Sequence, residues 1–210
     1  LDGSVPDSLN LNGTTYSYLN QYRQKPNTGA GPLLYRTMKS QVWGGPMQVA
    51  DRTPNPDQLS HISTTYDANP WYFPTATIDK AVTVRARSVK AGALPGEVVS
   101  NTYFIRNQGL NPYHLPVISF KTAENNLFDF YKGIYVAGVD FENWRSSNPS
   151  ATANGGTSAN YHREGDEWEY PAHLEFFDAS GTRRLAQEVG FRIHGNWSNA
   201  HPFKSLRIHA

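Results

Sequence analysis

The chain's 210 residues fit one generous domain or two small ones, and 19 Lys+Arg against 18 Asp+Glu give a formal net charge of +1, which leaves no basic surplus to neutralise a nucleic-acid backbone. The absence of cysteine removes disulfides, thiolate metal ligands and cysteine nucleophiles at once. At 13% aromatic the chain is expected to fold, yet with glycine counted in and tyrosine out only ~40% is apolar, against ~45–50% in typical domains, so the core must share the chain with long polar loops.

Leu1-Asp-Gly-Ser4 opens the chain as turn chemistry. Pro26, Pro32, Pro46, Pro54, Pro56, Pro70 and Pro74 then preclude a long helix between 20 and 75, leaving brief strands at Leu33–Tyr35 and Met47–Val49. From Ala81 to Val89, Val82, Val84 and Ala86 alternate with Thr83, Arg85 and Arg87, a period of two that buries one sheet face. The β-rich run Glu97–Ile105 answers it, and Lys90–Gly96 supplies Gly and Pro for the turn, so an antiparallel hairpin is expected. The polar stretch Arg106–Pro116 reads as a domain boundary. Beyond it, Val117–Phe120 is a fresh apolar run, and Thr122 is placed to cap a short helix over Ala123–Phe128 with Glu124 in its first turn.

Gly133 is expected to start a buried strand, Ile134–Ala137. The apolar run there, Gly133 to Val139, falls far short of the ~20 residues of a membrane span, and no basic-then-apolar leader precedes it, so a soluble chain without a membrane span is expected. Asn143–Asn160, rich in Ser, Asn, Gly and Ala, reads as a surface loop. Ala172–Phe177, Glu188–His194 and Phe203–His209 then predict a three-stranded antiparallel unit, the first two strands joined by the turn Asp178–Thr182. With turn residues at the start and a strand at the end, the sequence reads as a fragment of a longer protein.

Two sets of motifs resemble known families. Leu1-Asp-Gly-Ser-Val-Pro6, Val84-Arg-Ala-Arg-Ser88, Gly92 and Glu97-Val-Val-Ser-Asn-Thr-Tyr-Phe104 resemble the fibronectin type III-like and chitobiase C-terminal-like β-sandwich modules that flank bacterial surface enzymes. Leu115-Pro-Val-Ile-Ser119, Asn126-Leu-Phe-Asp129, Gly133-Ile-Tyr-Val136, Glu167-Trp-Glu169, Pro171–Phe177, Gly190-Phe-Arg-Ile-His-Gly195 and Lys204-Ser-Leu-Arg207 resemble the opening of the CotH-type atypical protein kinase family.

These resemblances imply a mainly β chain. Residues 1–108 would be an antiparallel β-sandwich accessory module with a long insertion at about 20–57, and 115–210 an incomplete, kinase-like (α+β) amino-terminal lobe. They imply a fragment of a bacterial surface or secreted protein, located extracellularly or at the cell surface, whose complete form uses ATP and Mg to phosphorylate Ser or Thr. The family's acidic metal-binding residues have no positions in this chain, so the fragment alone is expected to bind no cofactor and to be inactive.

Phosphoryl transfer needs a cation on the phosphates and a backbone cradle. Lys204, opening a strand after a short loop, is the candidate cation, and the turn through Gly195, Asn196 and Ser198 the candidate cradle, since glycine allows close backbone approach. Both also read as ordinary strand-start and turn residues. The acidic residues Glu164, Asp166, Glu167 and Glu169 lack calcium-loop spacing, and Asp166 would point away from Glu167 and Glu169 on an extended strand. The seven histidines show no H-x-x-x-H or H-x-H pattern. Trp71 and Tyr72, with Trp43, form a candidate platform for stacking on sugar rings, although aromatics more often fill cores. That platform motivates the rival reading, a non-catalytic β-sandwich module that binds polysaccharide or a cell-surface protein.

Overall fold

The computed structural model describes residues 4–19, 33–66, 73–105 and 113–210. It is mainly β, with antiparallel sheets throughout the described residues. β1 (Thr14–Leu19) and β2 (Leu33–Met38) pair from Thr14↔Met38 to Leu19↔Leu33. β3 (Val82–Ala86) and β4 (Val99–Tyr103) form the expected second hairpin, from Val82↔Tyr103 to Ala86↔Val99. β5 (Val117–Lys121), β6 (Tyr170–Phe177), β7 (Arg183–His194) and β8 (Ser205–His209) make a four-stranded sheet in the order β5-β6-β7-β8. The expected three-stranded unit is thus present, with β5 added at its edge.

Side-chain alternation gives this sheet two unlike faces. Ala172, Val189, Phe191 and Ile193 form a buried core with Ile134, and Phe120, Leu127 and Leu206 pack around it. The other face carries Ser119, His173, Glu175 and Glu188, and the β3–β4 hairpin is bonded to it. Thr102 Oγ1 lies 2.7 Å from Ser119 Oγ and donates to Glu175. The Arg183 guanidinium donates to Asn101 at 2.7 Å and to Glu175 at 2.9 Å, and Arg85 meets Glu188 at 3.3 Å.

Of the expected boundary at Arg106–Pro116, residues 106–112 lie outside the described residues. β4 and β5 on either side of it belong to different sheets. The first part of the chain nevertheless packs on the second: Tyr18, Met38 and Ile62 share a core with Val136, and the Arg36 guanidinium donates to both carboxylate oxygens of Glu124, at 3.0 and 2.7 Å.

Several local expectations are corrected. Ile134–Ala137 is buried but is not a strand. Its first amides donate to the carbonyls of Asn126 and Leu127, both at 3.0 Å, and Gly138, at φ +56°, turns the chain into α2 (Gly138–Ser147). Asn160, fully buried, holds this bend by donating to Phe130 O and Gly133 O at 3.1 and 3.2 Å. Burial alone does not distinguish a strand from such a bend.

The expected loop Asn143–Asn160 is helical up to Ser147, where the buried Arg145 donates to Ala151 O at 2.6 Å. The short helix α1 (Glu124–Phe128) stands where expected, but Thr122 does not cap it. Its hydroxyl donates to Pro171 O at 2.8 Å, Ala123 takes the cap position without a side-chain bond, and Glu124 serves Arg36. Met47–Val49 forms no strand, and Phe203 and Lys204 precede β8 rather than join it.

Candidate functional site

The link between β7 and β8 builds the site. Gly195 sits at φ +146°, and a Cβ there would lie 2.4 Å from Asn199 Oδ1 and 2.5 Å from Ser198 Oγ, so the turn demands glycine. After Asn196 a single 3-10 turn, Trp197–Ala200, closes with the His201 amide donating to Ser198 O at 3.1 Å. Trp197 lies against the 154–157 loop: a Cβ on Gly155 would meet its indole at 2.4 Å. His162 reaches the same loop, with Nε2 2.9 Å from Gly155 O.

Pro202 and Phe203 then deliver Lys204, which is 8% exposed. Its amide donates to Tyr135 Oη at 3.0 Å. Its ammonium donates to Thr64 O at 2.6 Å and His201 O at 2.7 Å. Nζ also lies 4.4 Å from the Tyr161 ring centroid and 5.2 Å from that of Tyr135, where ring faces favour a cation. Among the described residues no carboxylate pairs with it, and burial pushes its pKa down to about 7. Burial also lowers the pKa of nearby His162, with a smaller lowering from the Lys204 charge. It raises that of Tyr135, opposed by the bond from the Lys204 amide.

The candidate residues Gly195, Asn196 and Ser198 therefore share one turn with one another, and Lys204 joins them through His201. The Lys204 amine contacts Thr64, His201 and the two rings rather than the backbone of that turn. Thr64, Tyr135, Tyr161 and His201 were not singled out from the sequence for this site. No spacing signal relates Thr64 to Lys204, 140 residues apart, because a peptide carbonyl leaves no mark in side-chain identity.

The platform residues Trp71 and Tyr72 lie outside the described residues, and Trp43 is 82% exposed. Of the acidic residues, Asp166 pairs with Arg192 at 3.0 Å and Glu169 with His209 at 3.5 Å.

The chemistry of a buried, uncompensated ammonium fits the phosphates of a nucleotide. It does not extend to magnesium: among the described residues no three His, Asp or Glu side chains are grouped to hold a metal. Comparison of the chain with protein-family models, with curated proteins and with solved structures finds no match.

Proposed function

We propose that the chain joins a β-sandwich accessory module to the opening strands of a CotH-type kinase-like domain, and that Lys204 is its phosphate-binding cation. The observation that carries this reading is a lysine buried at the foot of β8 with carbonyls and ring faces around it and no carboxylate partner among the described residues. Burying a charge without a counter-charge is costly, and such groups concentrate at functional sites. The neighbouring Gly195 turn and the ordered motifs from Leu115 to Arg207 support the same assignment. The complete protein would then act at a cell surface, transferring phosphate from ATP to Ser or Thr.

Phosphoryl transfer depends on positioning and on metal ions neutralising charge. Lys204 alone supplies neither function in full. These 210 residues should therefore bind ATP at about millimolar strength or weaker, near the ~4 kcal/mol that such affinity represents, and should transfer no phosphate. Saturation-transfer NMR with ATP tests the reading: a weak signal is expected from the wild-type chain and none from Lys204→Met. An equal signal from both, or phosphotransfer by this chain alone, rejects the assignment of Lys204.

A second reading draws on Trp43, whose exposed ring suits stacking on sugars. It makes the chain a binding module for polysaccharide or a cell-surface protein. Retention on immobilised polysaccharide, lost on Trp43→Ala and kept in Lys204→Met, would favour it over the first.

A further inference from the structure

Resting on the assignment of Lys204 as a phosphate cation, we propose that the segment Ile62–Thr65 is an autoinhibitory latch, which occupies the Lys204 amine and withholds it from anions until the segment lifts. The segment comes from the accessory half of the chain but is buried in the other half's site. Ile62 is 1% exposed and belongs to the Tyr18–Met38–Val136 core. Ser63, Thr64 and Thr65 are polar residues buried to 1%, 8% and 3% exposure. Thr64 is tied twice to the strand-delivering loop: its hydroxyl donates to Pro202 O at 3.3 Å, and its carbonyl accepts from Lys204 Nζ at 2.6 Å.

Among the described residues Thr64 O and His201 O each accept a hydrogen bond from the amine, and the Tyr161 and Tyr135 ring centroids lie 4.4 and 5.2 Å from it. His201 is three residues from Lys204 in the same loop. Among the described residues Thr64 is the acceptor held from elsewhere in the chain, so it is the contact an incoming phosphate has to replace. A neutral carbonyl is suited to that role, because a phosphate brings a full opposite charge to the ammonium as well as an acceptor oxygen, whereas a carboxylate would compete on equal terms. Binding linkage then makes the effect reciprocal: whatever seats residues 62–65 more firmly weakens anion binding at Lys204 by the same factor.

Amine labelling with trinitrobenzenesulfonate, an anionic reagent, reads the latch without any nucleotide. Peptide mass spectrometry should find Lys204 modified at least fivefold more slowly in the wild-type chain than in the double variant Ser63→Gly/Thr64→Gly, each rate being normalised to that of the exposed Lys90 in the same protein. Hydrogen exchange supplies a measurement on a different variant: amides 62–66 should exchange at least fivefold faster in Lys204→Met than in wild type. An unchanged Lys204 rate in the double variant overturns the latch, as does unchanged exchange at 62–66 in Lys204→Met. ATP added to the double variant separates the two readings. Slowed labelling of Lys204 supports both, whereas labelling freed by the substitutions but indifferent to ATP keeps the latch and rejects the nucleotide.

Discussion

The two faces of the four-stranded sheet solve the same covering problem with opposite chemistry. On one, Ala172, Val189, Phe191 and Ile193 bury themselves against Ile134. On the other, Ser119, Glu175 and Glu188 meet the polar side of a hairpin through specific bonds, and His173 Nδ1 lies 2.8 Å from Glu188 within the sheet. Apolar contact is non-directional and scales with area, so the first face supplies stability without dictating how the layers register. Buried charges gain little net stability once desolvation is counted. Their partners must meet them at particular positions, so the second face determines where the hairpin sits.

The largest effect should follow from damage to the apolar face. Phe191 is fully buried and packs edge-on to Phe120 at 4.9 Å. Phe191→Ala should destabilise by about 3–5 kcal/mol, read from urea unfolding. A loss below about 1 kcal/mol, the usual effect of an average substitution, would mean that the fold's main core lies elsewhere.

The polar face should respond less, and in a different manner. Glu175, 1% exposed, accepts from Thr102 and Arg183. Glu175→Ala leaves both donors short of an acceptor and should cost about 1–3 kcal/mol. Pairing Glu175→Leu with Thr102→Val should recover part of the loss, since both buried partners are then apolar while the half-exposed Arg183 keeps Asn101 and solvent. Failure of the pair to recover would show that the hairpin depends on these bonds for affinity as well as for registry.

That asymmetry also explains what was legible in the sequence. Val82, Val84 and Ala86 alternate openly, which made the hairpin legible, but of the three only Val82 is buried, and it is Arg85 and Thr102 that meet the large sheet. In that sheet Ala172–Phe177 and Glu188–His194 were legible, whereas the mostly exposed first half of β7, residues 183–187, was not. The polar face was not legible either, since Glu175 looks like a solvent-facing residue until a second layer covers it, and nothing in the sequence pairs the half-exposed Glu188 with Arg85. The same limit hid the bend at Ile134–Ala137, where burial was legible and backbone direction was not. At the candidate site the lysine and the Gly195 turn could be read as residue types. Its acceptors could not, because Thr64 and His201 contribute carbonyls, which every residue carries.

Lys204 extends the comparison to a buried charge on neither face. Folding pushes its pKa from 10.5 down to about 7, so between those values the unfolded chain holds a proton that the folded chain has released. Stability should therefore rise with pH across that window, by at most about 1.4 kcal/mol per pH unit. The penalty is present in full below pH 7. Urea midpoints taken from pH 7 to 9 should climb in the wild type and stay flat in Lys204→Met. Parallel curves for the two proteins would show that the carbonyls and rings around the amine offset its desolvation completely.

The smallest effect should come from a residue that belongs to no packed layer. Trp43 is 82% exposed and Val42 beside it 80%, in the irregular stretch that follows β2. A large aromatic ring left in water forgoes the burial that would make it stabilising, and surface substitutions of this kind usually fall within about ±0.5 kcal/mol. Trp43→Ala should accordingly leave the urea midpoint where it was, while acrylamide quenching of the total tryptophan emission should decline because an accessible ring has been removed. A cost above about 1 kcal/mol would instead place Trp43 with the core residues, and it would take from the polysaccharide reading the exposed ring on which that reading stands.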